Sequence, residues 1–199
     1  VQSYTLCSDR QNCDLSFANI ISWRFLYNTQ IAEVDGFLVF RFYIGHHLAY
    51  MAPVWKGEWN DLMCEPFAKV VRQMRDDSIT LGHPFLMLGV CTNMVEILES
   101  IFPDTFYIKP DRDYFDYIYT REKLATLAGK KLQSKRNHCN RFRKTYPNYE
   151  YRPLTKDMIP ECLAVEAKWR TVTKEDNNEE EELSEELRSM TRVFEFLSE

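Results

Sequence analysis

The stretch QIAEVDGFLVFRFYI, residues 30–44, decides the fold. Two largely apolar runs flank Asp35-Gly36, and a two-residue Asp-Gly connection is a strong signal of a β-hairpin because both turn residues must take positive φ. The second run, Phe37–Ile44, is apolar at nearly every position, which is typical of a strand buried on both faces. The sequence therefore predicts an antiparallel hairpin of Gln30–Val34 and Phe37–Ile44, continued as a meander by residues 48–53.

Helical and strand patterns alternate on both sides of this hairpin. Apolar residues at helical spacing predict helices, and short apolar runs between turn residues predict strands. The helices are expected over residues 13–23, 61–77 and 93–101, and the further strands over residues 84–90, 105–108 and 116–119. This order predicts an α/β (α+β) domain with a mixed, mainly antiparallel sheet flanked by helices.

A basic segment follows the predicted sheet. Residues 123–149 contain eight Lys and Arg and no acidic residue, whereas the other 172 residues contain 17 basic and 30 acidic ones. A local basic patch on a chain of net charge −5 suits a phosphate-bearing partner such as nucleic acid, a nucleotide or a lipid headgroup. A solvated helix face has the same composition, and charge alone leaves both interpretations open.

The basic segment has the spacing of a helix. An apolar stripe at three- and four-residue steps predicts one buried face, formed by Leu124, Ala128, Leu132, Cys139, Phe142 and Tyr146. Gly129 is expected to break the helix and to start a new one. Lys130 and Lys131 then lie near a helix N-terminus, where free backbone N–H groups attract anions.

A second unit is predicted from residue 149. Its pattern is a strand over residues 149–153, a helix over residues 155–170, an exposed acidic loop over residues 173–182 and a helix over residues 183–197. One strand and two helices cannot enclose a core. We therefore expect two units, a domain over residues 1–148 and the beginning of an incomplete one over residues 149–199.

Several classes of site are excluded by spacing. None of the six glycines lies within six residues of another, which excludes a Walker loop, a Rossmann fingerprint and the pyrophosphate loop of an ordinary acetyl-CoA-dependent acetyltransferase. No Cys, His or carboxylate set has metal-ligand spacing. The sequence thus predicts no metal and no cofactor in this chain, although acyl-CoA stays possible without that loop.

The six cysteines are scattered and no apolar run reaches about 18 residues. This distribution predicts reduced thiols in a cytoplasmic protein without a transmembrane segment, with a disulfide framework as the alternative.

An aromatic segment, DYFDYIY, occupies residues 113–119. Alternation would place Tyr117 and Tyr119 on one face of a strand and Asp116 and Ile118 on the other. The segment is interpreted either as an amphipathic strand or as a substrate groove beside the basic helix.

Four segments resemble one family. They are residues 12–23 (NCDLSFANIISW), 35–41 (DGFLVFR), 113–119 (DYFDYIY) and 127–142, in the last of which LAGKK, KRN and NRF keep a characteristic spacing. Over roughly residues 8–170 the chain resembles uncharacterised bacterial proteins related to the C-terminal domain of phosphatidylglycerol lysyltransferase. That family has two acetyltransferase-like (GNAT) folds in tandem. Its better-known relatives, including the Fem-type peptidoglycan ligases, transfer an amino acid from aminoacyl-tRNA to a lipid or peptide amine or hydroxyl.

The resemblance implies that residues 1–148 are a first, degenerate GNAT-like half and that Tyr149 begins the second. The chain departs from the family at residues 53–59, PVWKGEW, which keep one glycine and place tryptophan twice where the family has a glycine-rich turn.

The resemblance favours an acyl- or aminoacyltransferase that uses aminoacyl-tRNA and a lipid or peptide acceptor. It implies that the basic helix holds the donor's phosphates through Lys130, Lys131, Lys135, Arg136, Arg141 and Lys144. Asn137 and Asn140 would hydrogen-bond the donor's sugar or carbonyl. No catalytic residue is identified.

Two other functions stay open. The chain is alternatively a non-catalytic module that binds RNA or phosphate, or a structural half-domain whose basic helix docks on the acidic residues 175–186. The expected partners are tRNA or another phosphate-bearing ligand, with peripheral contact to lipid headgroups as a further possibility. The oligomeric state is left open.

Overall fold

The computed structural model describes residues 1–8, 10, 12–173 and 180–196. They include a four-stranded sheet in the order β1-β2-β3-β4. The strands are Gln30–Val34 (β1), Phe37–Ile44 (β2), His47–Met51 (β3) and Met87–Leu88 (β4). The first three are antiparallel and β4 runs parallel to β3. The predicted α/β (α+β) class is therefore confirmed, and the mixed, mainly antiparallel sheet flanked by helices is consistent with a GNAT-like fold.

The hairpin forms where the sequence predicts it. Asp35 and Gly36 have φ values of 48° and 83°, the conformation that a two-residue turn requires to match the twist of its strands. Val34 pairs with Phe37, and the register continues to Gln30 opposite Arg41. This local turn fixes which residues of β1 and β2 share a face.

Helices precede, interrupt and follow the sheet. Their bounds are Gln2–Thr5 (α1), Phe17–Ser22 (α2), Arg24–Tyr27 (α3), Cys64–Thr80 (α4), Thr92–Ile101 (α5), Arg121–Thr126 (α6), Gln133–Thr145 (α7), Ile159–Thr173 (α8) and Glu180–Phe196 (α9). Ser16 caps α2 by accepting a hydrogen bond from the backbone N–H of Asn19, the usual role of a serine before a helix.

The larger core lies between the sheet and the helices α4 and α5. Its buried residues come from β2, β3, the turn after β3 and the two helices, and they include Phe37, Val39, Leu48, Tyr50, Trp55, Phe67, Val70, Met74, Met94 and Leu98. A fully buried side chain of this size contributes about 1.5–3 kcal/mol relative to an exposed one. This core therefore sets the position of α4 on the sheet.

A smaller core covers the opposite face of the sheet. Tyr4, Leu15, Leu38, Phe40 and Val54 are buried together there. Because successive β2 residues point to opposite faces, Leu38 and Phe40 enter this cluster while Phe37 and Val39 enter the larger one. The prediction that β2 is buried on both faces is confirmed over Phe37 to Phe40.

Three predicted strands do not form. Residues 105–108, 116–119 and 149–153 have no strand conformation, and the strand predicted at residues 84–90 shortens to β4. The side chains of Tyr107, Tyr117 and Tyr151 are 93%, 82% and 93% exposed. Apolar alternation was a wrong guide here because a strand also needs a neighbour for its backbone groups, and the described sheet ends at β4.

The C-terminal helix returns to the beginning of the chain. The rings of Phe17 and Phe196 pack edge-to-face at 5.9 Å between centroids, and the Arg188 guanidinium lies 4.0 Å from the centre of the Phe25 ring. The two helices predicted after residue 149 are thus confirmed as α8 and α9. The division into units at residue 148 stays a prediction, and much of the predicted acidic loop lies outside the described residues.

Within the described part of the chain, no helix is both long and apolar enough to cross a membrane.

Substituting Gly36 with alanine should lower the free energy of unfolding by about 1–2 kcal/mol, because an L-residue pays roughly that cost at positive φ. No atom lies within 4 Å of a Cβ added at Gly36, so the loss comes from the backbone alone. Gly36→Asn is the matched control, since asparagine tolerates this conformation better. Urea unfolding measures both variants, and an alanine variant as stable as the wild type would contradict the turn assignment.

Candidate phosphate-binding surface

The basic segment is divided by a sharp turn. Leu127 follows the last residue of α6 as its C-cap, with φ 49°, and Gly129 has φ 89°. Lys130 and Lys131 then form one 3₁₀ turn with Leu132 before α7 begins. The predicted break at Gly129 is confirmed, and it places the two lysines in the turn that leads into α7.

Arg136 holds this turn together. Its guanidinium donates hydrogen bonds to the carbonyl oxygens of Leu127 and Gly129. Both carbonyls belong to residues with positive φ, so the bonds satisfy backbone groups that a regular helix would have paired. Arg136 was predicted to bind phosphate, and the structure gives this side chain a structural contact as well.

The other predicted residues divide between two sides of α7. Asn137, Asn140, Arg141 and Lys144 follow the spacing i, i+3, i+4, i+7, which places them on one face of the helix. Lys135 precedes Asn137 by two residues and therefore projects from nearly the opposite side. The structure thus brings four of the eight predicted residues to one helical face, preceded in the chain by Lys130 and Lys131.

The cations of this surface are not neutralised within the described chain. Lys130, Lys131, Lys135, Arg141 and Lys144 are exposed, and Arg136 is half-buried. None of the eight Lys and Arg in residues 123–149 forms a salt bridge with a described acidic residue. The positive potential of this segment is therefore available to an external anion.

The apolar stripe of α7 is not buried, contrary to prediction. Phe142 is 48% exposed, and Leu132 and Cys139 are half-buried. The Phe142 ring instead contacts the rings of Tyr146 and Tyr149, with centroids 5.1 and 5.2 Å away. Correct helical spacing did not predict burial because these rings cover one another rather than entering either core.

The aromatic segment is attached to the N-terminal part of the chain by Asp116. Its Oδ2 atom accepts a hydrogen bond of 3.0 Å from the backbone N–H of Cys13. Tyr114, Phe115, Tyr117, Ile118 and Tyr119 are all exposed. The strand interpretation of this segment is wrong, and no sequence signal announced the Asp116 contact because it joins residues 103 positions apart.

Asp116 also acts on two ionisable groups, the Cys13 thiol and the Asp14 carboxyl. A hydrogen bond between the thiol itself and Asp116, then burial and the charge of Asp14, raise the pKa of the Cys13 thiol to about 11. Burial, followed by the charge of Asp116, raises the pKa of Asp14. Cys13 is therefore a protonated and unreactive thiol near neutral pH. The raised pKa of the Asp14 carboxyl is a property that general acids and bases often share.

The turn at residues 53–59 is filled by the chain's own side chains. The Trp55 and Trp59 rings pack with centroids 4.9 Å apart. The Arg10 guanidinium lies over Trp55 and donates to the carbonyls of Ala52 and Pro53. This turn thus packs against Phe67 of α4, to which Trp59 is 5.4 Å distant.

No group of three or more His, Cys, Asp or Glu residues that could hold a metal ion occurs in the described part of the chain. All six cysteines are free thiols.

Replacing Asp116 with asparagine should lower the pKa of Cys13 from about 11 towards the ordinary value of 9.0, because it removes the largest cause of the shift. Peptide-resolved mass spectrometry can follow alkylation by iodoacetamide as a function of pH. The exposed Cys7 in the same sample is the internal control. An unchanged midpoint for Cys13 would show that Asp116 does not act on this thiol.

The chain is similar to a known family and to a solved structure. A family model described as phosphatidylglycerol lysyltransferase, C-terminal, matches residues 7–196. A crystal structure of a conserved protein of unknown function from Bacteroides thetaiotaomicron VPI-5482 is 50% identical, with a TM-score of 0.84. The match covers 97% of this chain and 62% of that one. A search of the curated proteins found no match.

Proposed function

Because the chain belongs to the phosphatidylglycerol lysyltransferase C-terminal family, we propose that it acts in aminoacyl transfer from charged tRNA to a lipid or peptide acceptor. Residues 130–144 hold phosphates of the donor in this proposal. The family match relates the fold to acyl and aminoacyl transfer, and the donor, the acceptor and the binding residues are our inference.

One observation carries the proposal. Eight cations within 27 residues have no acidic residue among them, and none is paired with a described carboxylate elsewhere in the chain. Such crowding is electrostatically costly unless a counter-charge approaches from outside. A nucleic acid backbone supplies that counter-charge, and the release of its counterions favours binding.

The chemistry needs few groups from this surface. The acceptor nitrogen or oxygen forms the new bond to the aminoacyl carbonyl, the ribose oxygen of the tRNA leaves, and the acceptor's proton passes to that oxygen. Holding the two reactants together supplies much of the rate gain. Lys130, Lys131, Arg141 and Lys144 would position the phosphates, and Asn137 and Asn140 would hydrogen-bond the sugar or the carbonyl.

The alternative is a non-catalytic module that binds RNA or another phosphate-bearing ligand. The raised pKa of Cys13 and the aromatic filling of residues 53–59 favour it, since neither feature offers a reactive group or an open backbone cradle. In the structural alternative the basic helix docks on the acidic residues 175–186, of which 175–179 lie outside the described residues. In the described part of α9, Arg188 and Phe196 contact Phe25 and Phe17.

A triple substitution tests the surface. Lys131→Ala, Arg141→Ala and Lys144→Ala remove three exposed charges and leave the Arg136 contacts with the turn intact. The slope of log affinity for tRNA against log salt should become shallower by up to about 2–3, since each lost phosphate contact removes about 0.7–0.9. Fluorescence anisotropy between about 50 and 200 mM salt measures this slope.

The matched control removes the same number of charges elsewhere. Lys69→Ala, Arg72→Ala and Arg75→Ala alter three cations of α4, each of which already has a carboxylate partner. This variant should keep the wild-type slope. Equal losses in both variants would show that only net charge matters and would overturn the assignment to residues 130–144.

Transfer is assayed with the protein from its full reading frame, charged tRNA and a lipid or peptide amine. Salt-dependent binding without transfer would support the non-catalytic alternative. If the protein shows no binding of tRNA and no transfer, both the transferase proposal and the non-catalytic alternative are wrong.

A further inference from the structure

Strand β1 is an open edge of the described sheet. Ile31, Ala32 and Glu33 are exposed, and β1 has β2 as its neighbour on one side only. Val34 and Phe37 flank a two-residue turn and so form a hydrogen-bonded pair. Hydrogen-bonded and non-hydrogen-bonded pairs alternate along an antiparallel ladder, so Glu33 and Ile31 lie in non-hydrogen-bonded pairs with Leu38 and Phe40. The N–H and C=O groups of Ile31 and Glu33 therefore point outward, where no hydrogen bond to a described residue takes them up.

A groove of about 560 Å³ runs between β1 and α4. On this face of the sheet Val39, Leu48 and Tyr50 of β2 and β3 are buried in the core with α4, whereas Ala32 of β1 is exposed. The apolar part of its lining comes from the strands and from α4 and includes Ile31, Ala32, Val34, Val39, Val70 and Met74. This lining favours an apolar group entering from the β1 side.

A polar network closes one end of the groove. Arg41 donates to both carboxylate oxygens of Asp77, at 2.7 and 3.0 Å, and its Nε donates to Gln30 at 2.9 Å. The Tyr50 hydroxyl donates to Asp77 at 2.5 Å. Burial alone would raise the pKa of Asp77, but these hydrogen bonds outweigh it and lower the pKa. The charges of Arg41 and Asp77 cancel, so this end of the groove is closed by a neutral polar network that does not attract an ion.

A second copy of the chain does not suit this edge. Antiparallel pairing of β1 with itself about Ala32 would place the two Glu33 carboxylates diagonally on one face, where like charges repel. It would also present only β1's own small side chains to each groove, so both grooves would stay open. The carboxylate of Glu33 forms no salt bridge with a described residue. Its neighbour is the Tyr4 hydroxyl, whose pKa is raised by burial and then by the hydrogen bond and charge of Glu33. The negative charge of Glu33 favours a basic residue opposite it.

We propose that the β1 edge binds an extended, antiparallel peptide strand that carries a basic residue opposite Glu33 and a large apolar residue opposite Ala32. The strand pairs with the backbone of Ile31 and Glu33, as in other additions of a peptide to a sheet edge. The apolar side chain fills the groove against Val70 and Met74. This site is separate from residues 130–144 and independent of the proposed transfer.

Labelled synthetic peptides test the proposal. In an antiparallel strand the residue opposite Glu33 comes immediately before the one opposite Ala32, so the peptide STKFVTS has the required order. The peptide STFKVTS has the same composition with lysine and phenylalanine exchanged. Saturable binding of the first, at least about tenfold tighter than the second by fluorescence anisotropy, is the expected result.

Two variants of the chain locate the site. Glu33→Lys should weaken STKFVTS about three- to tenfold and should instead bind STEFVTS, because a cross-strand ion pair contributes up to about 1 kcal/mol and its reversal repels. Ala32→Phe should fill the groove and abolish binding while circular dichroism shows an intact fold. Glu96→Lys, the same charge change at an exposed position of α5, is the matched control.

Three outcomes would overturn the proposal. They are no saturable binding by the wild type, equal binding of the two isomeric peptides, and a dimer in sedimentation that Ala32→Phe converts to monomer. The last would assign the edge to a second copy.

Discussion

The structure depends on the packing of Phe67 at the beginning of α4. This ring is fully buried and contacts Phe37 at 5.7 Å, Trp59 at 5.4 Å and Trp55 at 6.4 Å, each steeply inclined to it. Such edge-to-face pairs contribute about 0.5–1.5 kcal/mol beyond the area that they bury. The hairpin, the turn after β3 and the helix therefore meet at one side chain, and Asp77 attaches the other end of α4 to Arg41 and Tyr50.

This packing concentrates the buried residues in the first half of the chain. After Leu98 the next buried side chain among those described is Ser189. The basic segment lies in the long exposed part between them. Its cations therefore do not stabilise either core. Arg136 instead stabilises the turn at Gly129 by a hydrogen bond to the Gly129 carbonyl. We infer that the packed half provides a stable support and that the exposed half carries the proposed phosphate-binding surface.

Local signals were the parts of the structure that the sequence predicted well. The Asp35-Gly36 turn, the break at Gly129 and the helices α4 and α5 depend on neighbouring residues, so the chain itself specifies them. Burial in the exposed half could not be predicted in this way. Phe142 has helical spacing and Tyr117 has strand-like alternation, yet both lie outside the cores because burial depends on which element arrives from elsewhere in the chain.

The candidate site shows the same division. Composition identified the cations of residues 123–149, but it could not distinguish the role of Arg136 from that of Lys131. That distinction needs the left-handed conformation of Leu127 and the direction of its carbonyl. The contact between Asp116 and Cys13 was also beyond prediction, because only the folded chain brings the two residues together.

The central claim is that the exposed cations of residues 130–144 contact phosphates. The most direct measurement is a lysine footprint, in which the chain is acetylated with and without tRNA and each site is quantified by mass spectrometry. Our account predicts that tRNA protects Lys130, Lys131 and Lys144, whereas Lys69, whose ammonium lies 2.8 Å from Asp35, keeps its reactivity. Equal protection of all four lysines, or protection of Lys69 alone, would contradict it.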